Sequence, residues 1–337
     1  MIYSPVIIPT LNRYNHFIRC IESLENCTGA NQTEVFVALD YPPSEKYIDG
    51  WKRIDAYLAE KGKNSKFRNL LVFRKNYNYG MSGTLVNTQL LREEIKKRGY
   101  DRWIMSEDDN VFSPNFLEYI NKGLEIFKNN KDVFAILGYN NQFDCKCCNN
   151  NHFAQHSLFQ AWGYGIWANR YIEAREELTP AYFKDIIFNR EKWKRCFKYT
   201  PTSFGLIFKN ATVTRNYLPQ HDLNMSFYLI NEHKKVICPV VSKVRNIGFD
   251  GFATTTTLDK GRLKERAIIE KEMPIDDDEK FEYQGDPFVY EEENSVNIAM
   301  WDQKWEDRFK YYISYLYKLE VYLRILRFRF YSLIGKY

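Results

Sequence analysis

The first 140 residues alternate between short apolar runs and amphipathic segments, and this alternation limits the folds that the chain can adopt. Apolar runs of strand length occur at YSPVIIP, EVFVALD, NLLVF and DRWIM, with helical spacing between them. The first helical segment has four apolar residues on one face: Phe17, Cys20, Ile21 and Leu24. Strands that alternate with helices build a mostly parallel sheet covered by helices. We therefore predict an α/β fold with a mostly parallel, Rossmann-like central sheet flanked by helices.

Three consecutive acids, at positions 107–109, follow the apolar run DRWIM. Ser113 and Pro114 come next and predict the start of a helix, because serine caps helix N-termini and proline is tolerated in the first turn. The acids are thus predicted in a strand-to-helix loop. Open α/β sheets bind ligands beyond the carboxyl ends of their strands, and Asp40 also follows such a strand. Two acidic strand ends predict a ligand site.

Glu107, Asp108 and Asp109 repel one another, so a cation or several hydroxyl donors must hold them together. A divalent metal bound by one or two carboxylates fills its other positions with phosphate oxygens and water. Such an ion stabilises a leaving nucleoside diphosphate. The alternative is a solvated loop, because a helix N-terminus also favours nearby acids. The apolar strand in front of the triplet and the matching Asp40 favour a site.

Four stretches resemble a known family. PVIIPTLNRYNHFIRCIESL, VFVALD and SEDDNVFSPNFLEYI resemble the nucleotide-binding half of GT-A glycosyltransferases, in the manner of glycosyltransferase family 2. The triplet is similar to the Glu-Asp-Asp motif of the GlcNAc-transferase that initiates complex N-glycans. QHDLNMSFYLINEHKKVICPVVSKVRNIGFDG is similar to the stretch that carries that enzyme's catalytic base. The resemblance covers residues 3–257 and implies a GT-A fold.

The resemblance also implies roles for matching residues. Asp109 would bind Mn2+ or Mg2+, and Asp108 and Glu107 would hold the ribose or the donor sugar. The other residues expected to contact the nucleotide or donor are Pro9, Thr10, Arg13, Asp40, Asn78 and Gly80. Asn78 and Gly80 lie in NYNYGMSG. This stretch lacks the P-loop and dinucleotide-binding fingerprints, which argues against an ATPase or a dehydrogenase function.

Asp222 would be the catalytic base, and a single base acting in line would invert the anomeric configuration. The match is imperfect here, because His221 stands where the family has an acid and Leu223 where it has tryptophan. His221 is therefore a second candidate for the base. The alternative is that Asp222 caps the helix predicted over LNMSFYLI.

FQAWGYGIWANRY places Trp162, Tyr164 and Trp167 around two glycines. Flat aromatic rings beside flexible glycines can stack on a sugar, so these three are candidate acceptor-binding residues. Similar stretches occur in bacterial capsule and O-antigen glycosyltransferases. Core packing at a tight turn is the equally weighted alternative.

Three cysteines, Cys145, Cys147 and Cys148, lie near His152 and His156. Their spacing matches no common structural zinc site, and we favour a surface loop with free thiols. The seven cysteines are an odd number, and the first residues read as a strand without a secretory signal. Both features predict a cytoplasmic protein.

Residues 304–337 contain eight basic and three acidic residues, which accounts for the whole net charge of +5. Arg324, Arg327 and Arg329 interrupt this aromatic, apolar tail too often for a membrane span. We predict an amphipathic helix at 301–337 that contacts the anionic inner face of the membrane. The alternative is a helix packed on its own domain or across a homo-oligomer. An acidic connection, 261–300, precedes the tail, and 1–140 and 141–260 form the nucleotide-sugar and acceptor halves of the catalytic domain.

The sequence thus predicts a metal-dependent, inverting hexosyl- or N-acetylhexosaminyltransferase. It would move sugar from a nucleotide sugar to a glycan acceptor, and the resemblance suggests a UDP-sugar and a lipid-linked acceptor in bacterial surface polysaccharide synthesis. We expect no nucleic-acid partner. A sugar nucleotidyltransferase would use the same acids but release pyrophosphate. A non-catalytic glycan-binding scaffold on this fold would lack metal-dependent nucleotide binding.

Overall fold

The computed structural model describes residues 3–78, 83–140, 151–200, 203–212, 221–250 and 314–335, with the pieces 264, 267–268, 270–271, 275–276, 280–283 and 287–289. The chain divides into two compact units. The first contains Met1–Ala154, Gln160–Asn169 and Ile237–Phe288. The second contains Gln155–Phe159, Arg170–Val236 and Val289–Tyr337.

The strands within the described ranges are β1 Val6–Thr10, β2 Glu34–Leu39, β3 Asn69–Arg74, β4 Arg102–Met105, β5 Asn110–Phe112, β6 Val133–Leu137, β7 His152–Gln155, β8 Tyr164–Trp167, β9 Lys235–Pro239, β10 Val244–Asn246 and β11 Phe288–Val289. The helices are α1 Tyr14–Glu25, α2 Ile48–Lys61, α3 Gly83–Lys97, α4 Phe116–Ile126, α5 Ala168–Glu177, α6 Pro180–Phe188, α7 Arg190–Tyr199, α8 Phe204–Ala211, α9 His221–Asn231 and α10 Ser314–Leu333.

Nine of these strands form one sheet in the order β11-β7-β9-β6-β8-β4-β1-β2-β3. The neighbours β4, β1, β2 and β3 run parallel, whereas β8 runs antiparallel to both β4 and β6. The predicted α/β fold, with a large central sheet flanked by helices and a C-terminal helix, is confirmed. The expected parallel arrangement holds for the four strands built from the first 105 residues.

The middle of the sheet is buried on both faces, which explains the unbroken apolar runs of β1 and β2. Every residue of β2 is buried, while β3 at the sheet edge is half-buried. Helix α1 buries the predicted face of Phe17, Cys20, Ile21 and Leu24. Because β1, β2 and β4 are parallel neighbours, their carboxyl ends meet at one edge of the sheet.

The chain after the acidic triplet differs from the prediction. Helix α4 begins at Phe116 with Asn115 as its N-cap, and Ser113 and Pro114 precede it. The reason is β5, which pairs antiparallel with β10 and keeps the chain extended as far as Ser113. Ser113 N–H still donates to the carbonyl of Lys243 at 3.0 Å. The triplet therefore lies between two strands rather than between a strand and a helix.

The second unit is mainly helical. Helices α6, α8 and α9 contribute buried apolar side chains, among them Phe183, Ile186, Ile207 and Phe227. Helix α10 belongs to the same unit. No helix in the described part of the chain is both long enough and apolar enough to cross a bilayer.

Candidate functional site

Residues from β1, the β1–α1 connection and the β4–β5 connection meet at the carboxyl edge of the parallel strands. Thr10, the last residue of β1, donates its hydroxyl to Asp108 Oδ2 at 2.8 Å. Arg13 Nη2 pairs with Asp108 Oδ1, and Arg13 Nη1 lies 2.8 Å from Asp109 Oδ2. The structure thus brings together four residues that the sequence predicted as site residues: Thr10, Arg13, Asp108 and Asp109. We call Thr10, Arg13, Asp108, Asp109 and Asn246 the carboxylate cluster.

Asn246 is the member of the carboxylate cluster that sequence reasoning missed. Its Nδ2 donates to Asp109 Oδ1 at 2.9 Å and to Asn110 Oδ1 at 3.3 Å, because β10 pairs Asn246 with Asn110 across from β5. Asn246 Oδ1 accepts the N–H of Gly248 at 2.9 Å. The sequence predicts a strand before RNIG, but no local pattern predicts that this strand pairs with residues 110–112.

Burial and the paired charges set the electrostatics of the cluster. Burial raises the pKa of Asp108, Arg13 offsets part of that rise, and the like charge of Asp109 adds to it. Burial alone would lower the pKa of Arg13, but the carboxylates of Asp108 and Asp109 more than compensate and raise it. Arg13 is therefore the fixed positive charge that makes two adjacent acids tolerable in a buried site.

Protein donors contact all four carboxylate oxygens of the cluster, and each oxygen keeps a second lone pair for a further partner. Both carboxylate oxygens of Asp109 accept hydrogen bonds from protein donors, Arg13 and Asn246, and both oxygens of Asp108 do so from Arg13 and Thr10. Over the described ranges, no three His, Cys, Asp or Glu side chains come together to form a metal site. The metal at Asp109 that the resemblance implies stays a prediction.

Glu107, the first acid of the triplet, is half-buried. Its carbonyl oxygen accepts a hydrogen bond from the Ser106 hydroxyl at 2.9 Å and a longer one from the Cys20 thiol at 3.5 Å. Its backbone is thus fixed between β4 and α1. The predicted donor-sugar contact of Glu107 stays a prediction.

Asp40 follows β2 at the same edge of the sheet, and its backbone N–H donates to the carbonyl of Thr10 at 3.0 Å. Its Oδ1 accepts the N–H of Tyr41 at 2.9 Å. Asn78 Nδ2 donates to the carbonyl of Tyr41 at 2.6 Å, so Asn78 lies at the loop that follows Asp40. Pro9 is half-buried within β1. Gly80 lies outside the described residues.

Burial of the ionised Asp40 carboxylate lowers the stability of the fold at neutral pH. Burial raises its pKa, although Tyr41 N–H, the Asn87 side chain and Lys75 favour the charged form. A carboxyl group whose pKa is raised on folding stabilises the fold below its unfolded pKa, and this contribution is lost as pH rises through the folded pKa. The ionised carboxylate at neutral pH is therefore less favourable than a neutral group of the same shape.

We accordingly expect Asp40→Asn to raise the free energy of unfolding at pH 7, and the gain to vanish in acid where Asp40 is protonated. Urea denaturation across pH checks this. The exposed Asp132→Asn is the matched control and should show no such gain at either pH. An Asp40→Asn protein less stable than wild type at pH 7 would contradict the expectation.

Asp222 belongs to the second unit, as the second residue of α9. Its carbonyl accepts the Ser226 hydroxyl at 2.9 Å, one helical turn later. Asp222 therefore lies within the first turn, where the helix dipole favours an acid, rather than at the cap position. His221 begins the same helix, and its side chain is outside the described part. The choice of either as the base stays a prediction.

The three aromatic candidates differ in exposure. Tyr164 and Trp167 are 3% and 4% exposed within β8, which favours the packing alternative for both. Trp162 is half-buried, and its ring lies edge-on to Tyr139 at 4.7 Å and to Phe249 at 5.8 Å. Of the three candidates, Trp162 is thus the one whose side chain is partly accessible to a ligand.

The cysteine-histidine stretch falls partly outside the described residues, which exclude Cys145, Cys147 and Cys148. His152 is fully buried, and its ring lies edge-on to Tyr283 at 4.6 Å. His156 lies edge-on to Tyr199 at 4.9 Å. Cysteines elsewhere in the described ranges are buried free thiols: Cys20, Cys27, Cys196 and Cys238.

No protein-family model matches the sequence, and no curated protein matches it. Among solved structures, the chain is similar to S. aureus TarS, with 16% identity and a TM-score of 0.34 over 72% of this chain and 36% of that one. It is also similar to S. aureus TarS 1-349 in complex with UDP, with 16% identity and a TM-score of 0.35 over 72% of this chain and 59% of that one.

A third similar structure is the mannosyltransferase PcManGT from Pyrobaculum calidifontis in complex with GDP-Man and Mn2+. Its identity is 12% and its TM-score 0.35, over 67% of this chain and 69% of that one. The chain thus spans 36% and 59% of the two TarS chains. At these TM-scores, no residue's role carries over from any of the three structures.

Proposed function

We propose that this chain is a glycosyltransferase that binds a nucleotide sugar at the carboxylate cluster and transfers the sugar to a glycan acceptor. The observation that carries the proposal is the cluster itself: two buried carboxylates, Asp108 and Asp109, bridged by Arg13 at the carboxyl ends of parallel strands. Ligands of open α/β sheets bind at that edge. The sequence resemblance to GT-A enzymes, which rests on the same residues, supports the same conclusion.

The chemistry of a nucleotide sugar suits this cluster. Carboxylates accept hydrogen bonds from ribose and sugar hydroxyls, which is the role we assign to Asp108 and Glu107. Arg13 would contact the diphosphate as a nearby cation while its two Nη atoms stay paired with Asp108 and Asp109. Asp40 and Asn78, at the next strand end, would contact the nucleoside, with Thr10 and Pro9 beside them.

The transfer step needs a base on the acceptor side. The acceptor hydroxyl oxygen would bond to the anomeric carbon while the bond from that carbon to the diphosphate breaks and the nucleoside diphosphate leaves with the electron pair. Asp222, or His221, would take the hydroxyl proton, and attack in line would invert the anomeric centre. Trp162 would stack on the acceptor sugar. A UDP-sugar donor and a lipid-linked acceptor of bacterial surface polysaccharide synthesis complete the proposal.

The experiment that tests this function is a calorimetric and thermal-shift panel of UDP, GDP, CMP, dTDP and ADP, each with Mn2+, Mg2+ or chelator. We expect one nucleoside diphosphate to bind and to raise the melting temperature, since a ligand of the folded state stabilises it by mass action. Asp109→Ala should lose this binding, whereas Asp132→Ala, an exposed aspartate of the same unit, should keep it.

Each other result selects a different function. A separate assay with a nucleoside triphosphate and a sugar phosphate would identify a nucleotidyltransferase by the release of pyrophosphate. The absence of any nucleotide binding would favour a glycan-binding scaffold. For the proposed glycosyltransferase itself, binding that persists in chelator would assign the diphosphate to Arg13 alone, and binding that requires Mn2+ or Mg2+ would support a metal at Asp109.

A further inference from the structure

Helix α10 has one face packed within the second unit. Val321, Ile325 and Phe328 are 4%, 1% and 4% exposed. The Phe328 ring lies 5.9 Å from that of Phe208 in α8. Arg329 donates hydrogen bonds to the carbonyls of Ile187 and Phe188 at the end of α6. This face is therefore anchored by both apolar contacts and hydrogen bonds.

The opposite side of α10 is also apolar, but it is exposed. Its residues, with Ile334 directly after the helix, are 44–81% exposed, and we call them the outer face of α10: Leu319, Tyr322, Leu323, Leu326, Phe330, Leu333 and Ile334. The spacings of three and four residues put them on one stripe of the helix. The stripe is about 22 Å long at the rise of an α-helix. Soluble monomers rarely expose an apolar patch this continuous, so such a patch marks an interaction surface.

We infer that the outer face of α10 lies in the interfacial layer of an anionic lipid bilayer. Four basic side chains and one acidic side chain belong to this helix. Glu320 pairs with Arg324, and the exposed Arg327 lies beside the stripe, over the ring of Tyr331. In this arrangement the apolar side chains enter the acyl boundary, while the exposed Arg324 and Arg327 reach the headgroup phosphates and Arg329 stays on the packed face.

Charge decides between a bilayer and a second copy of the chain. Two copies joined through this face would bring together two helices that each carry an excess of positive charge, which is repulsive. An anionic bilayer neutralises that excess, and Tyr322 and Phe330 are ring types that suit a membrane interface. The inference goes beyond the proposed function and does not depend on it.

The test is vesicle flotation of full-length protein with phosphatidylcholine alone or with added phosphatidylglycerol. The variant Leu323→Ser/Leu326→Ser/Phe330→Ser removes apolar surface without changing charge or touching the packed face. The control Ile126→Ser/Ile172→Ser/Val241→Ser removes three apolar side chains that are 41–55% exposed elsewhere. Circular dichroism checks that both variants are folded.

We expect wild type and control to float only with anionic vesicles and to be released by high salt, as surface electrostatics requires. The outer-face variant should partition onto anionic vesicles about 100-fold more weakly than wild type, because it transfers less apolar surface from water into the bilayer. Wild type that ignores anionic vesicles, or a variant that still binds them, would overturn the inference. A wild-type dimer that the variant dissociates would instead assign the face to a second copy. Nucleotide binding, measured separately, should be equal in all three proteins.

Discussion

Arg13→Met is expected to lower the free energy of unfolding by about 3–5 kcal/mol at neutral pH, because it leaves Asp108 and Asp109 buried and without their counter-charge. The side chains of these acids are only 8% and 7% exposed, so water cannot replace the guanidinium. Nucleotide binding should be lost as well, since the same guanidinium is the cation proposed for the diphosphate. Urea denaturation and calorimetry measure the two effects.

Two further variants separate charge from packing. Arg19→Met removes an exposed arginine from α1 and should change stability little. Arg13→Met/Asp108→Asn removes one uncompensated charge and should recover part of the lost stability, because a neutral amide costs less to bury than a lone carboxylate. Nucleotide binding should stay absent in this double variant.

The stability difference between Arg13→Met and wild type should depend on pH. Without Arg13 the pKa of Asp108, already raised by burial, should rise further above its unfolded value. A carboxyl shifted in this direction stabilises the fold in acid and loses that contribution as pH rises. The deficit relative to wild type should therefore shrink as pH falls. Equal stability of the two proteins at pH 7 would show that Arg13 is not the counter-charge of the acids.

Gly248→Ala is the second change with a large expected effect. A Cβ atom at position 248 would lie 2.0 Å from Asp109 Oδ2, 2.9 Å from Asp109 Cγ and 3.0 Å from Arg13 Nη1. Asp109 is short and also bonded to Asn246, so it cannot yield like the end of a long side chain. The methyl group must push the carboxylate away from Arg13, and this overpacking should cost about 1–3 kcal/mol of stability.

Gly248→Ala should also lower the rate of sugar transfer, because Asp109 moves. A displacement of about 1 Å in a catalytic site can reduce turnover roughly 100-fold, and we expect a loss of that order in sugar transfer with the proposed donor. Gly205→Ala is the matched control, because its Cβ meets nothing within 4 Å in α8. That variant should be slightly more stable, by about 0.5–1 kcal/mol, with unchanged transfer. Full activity in Gly248→Ala would contradict the proposed geometry.

Local sequence patterns predicted the parallel strands, the buried face of α1 and the acids at the strand ends. These features can be read from a single sequence because each depends on side-chain periodicity over fewer than about 20 residues. Asp40 and residues 107–109 could be assigned to one edge of the sheet for the same reason. Parallel strands bring their carboxyl ends together whatever the rest of the chain does.

Tertiary structure alone decided how the acids are neutralised. The sequence suggested a metal at Asp109 and a nucleotide contact for Arg13, but it did not predict that the fold pairs Arg13 with both Asp108 and Asp109. Asn246 reaches Asp109 across 137 positions of the chain, through the β5–β10 pairing that also delayed the start of α4. Pairing over such a separation depends on which strand edges meet in space, and no local pattern encodes that.

The C-terminal helix divides in the same way. Its composition predicted a basic, amphipathic helix, because charge and apolar content are properties of the sequence alone. Apolar residues lie on nearly every side of it, however, so periodicity could not say which side is buried. Packing against Phe208 and the end of α6 selected Val321, Ile325 and Phe328, and this left the outer face exposed. The physical reason is that burial is decided by the neighbouring surface and not by the helix itself.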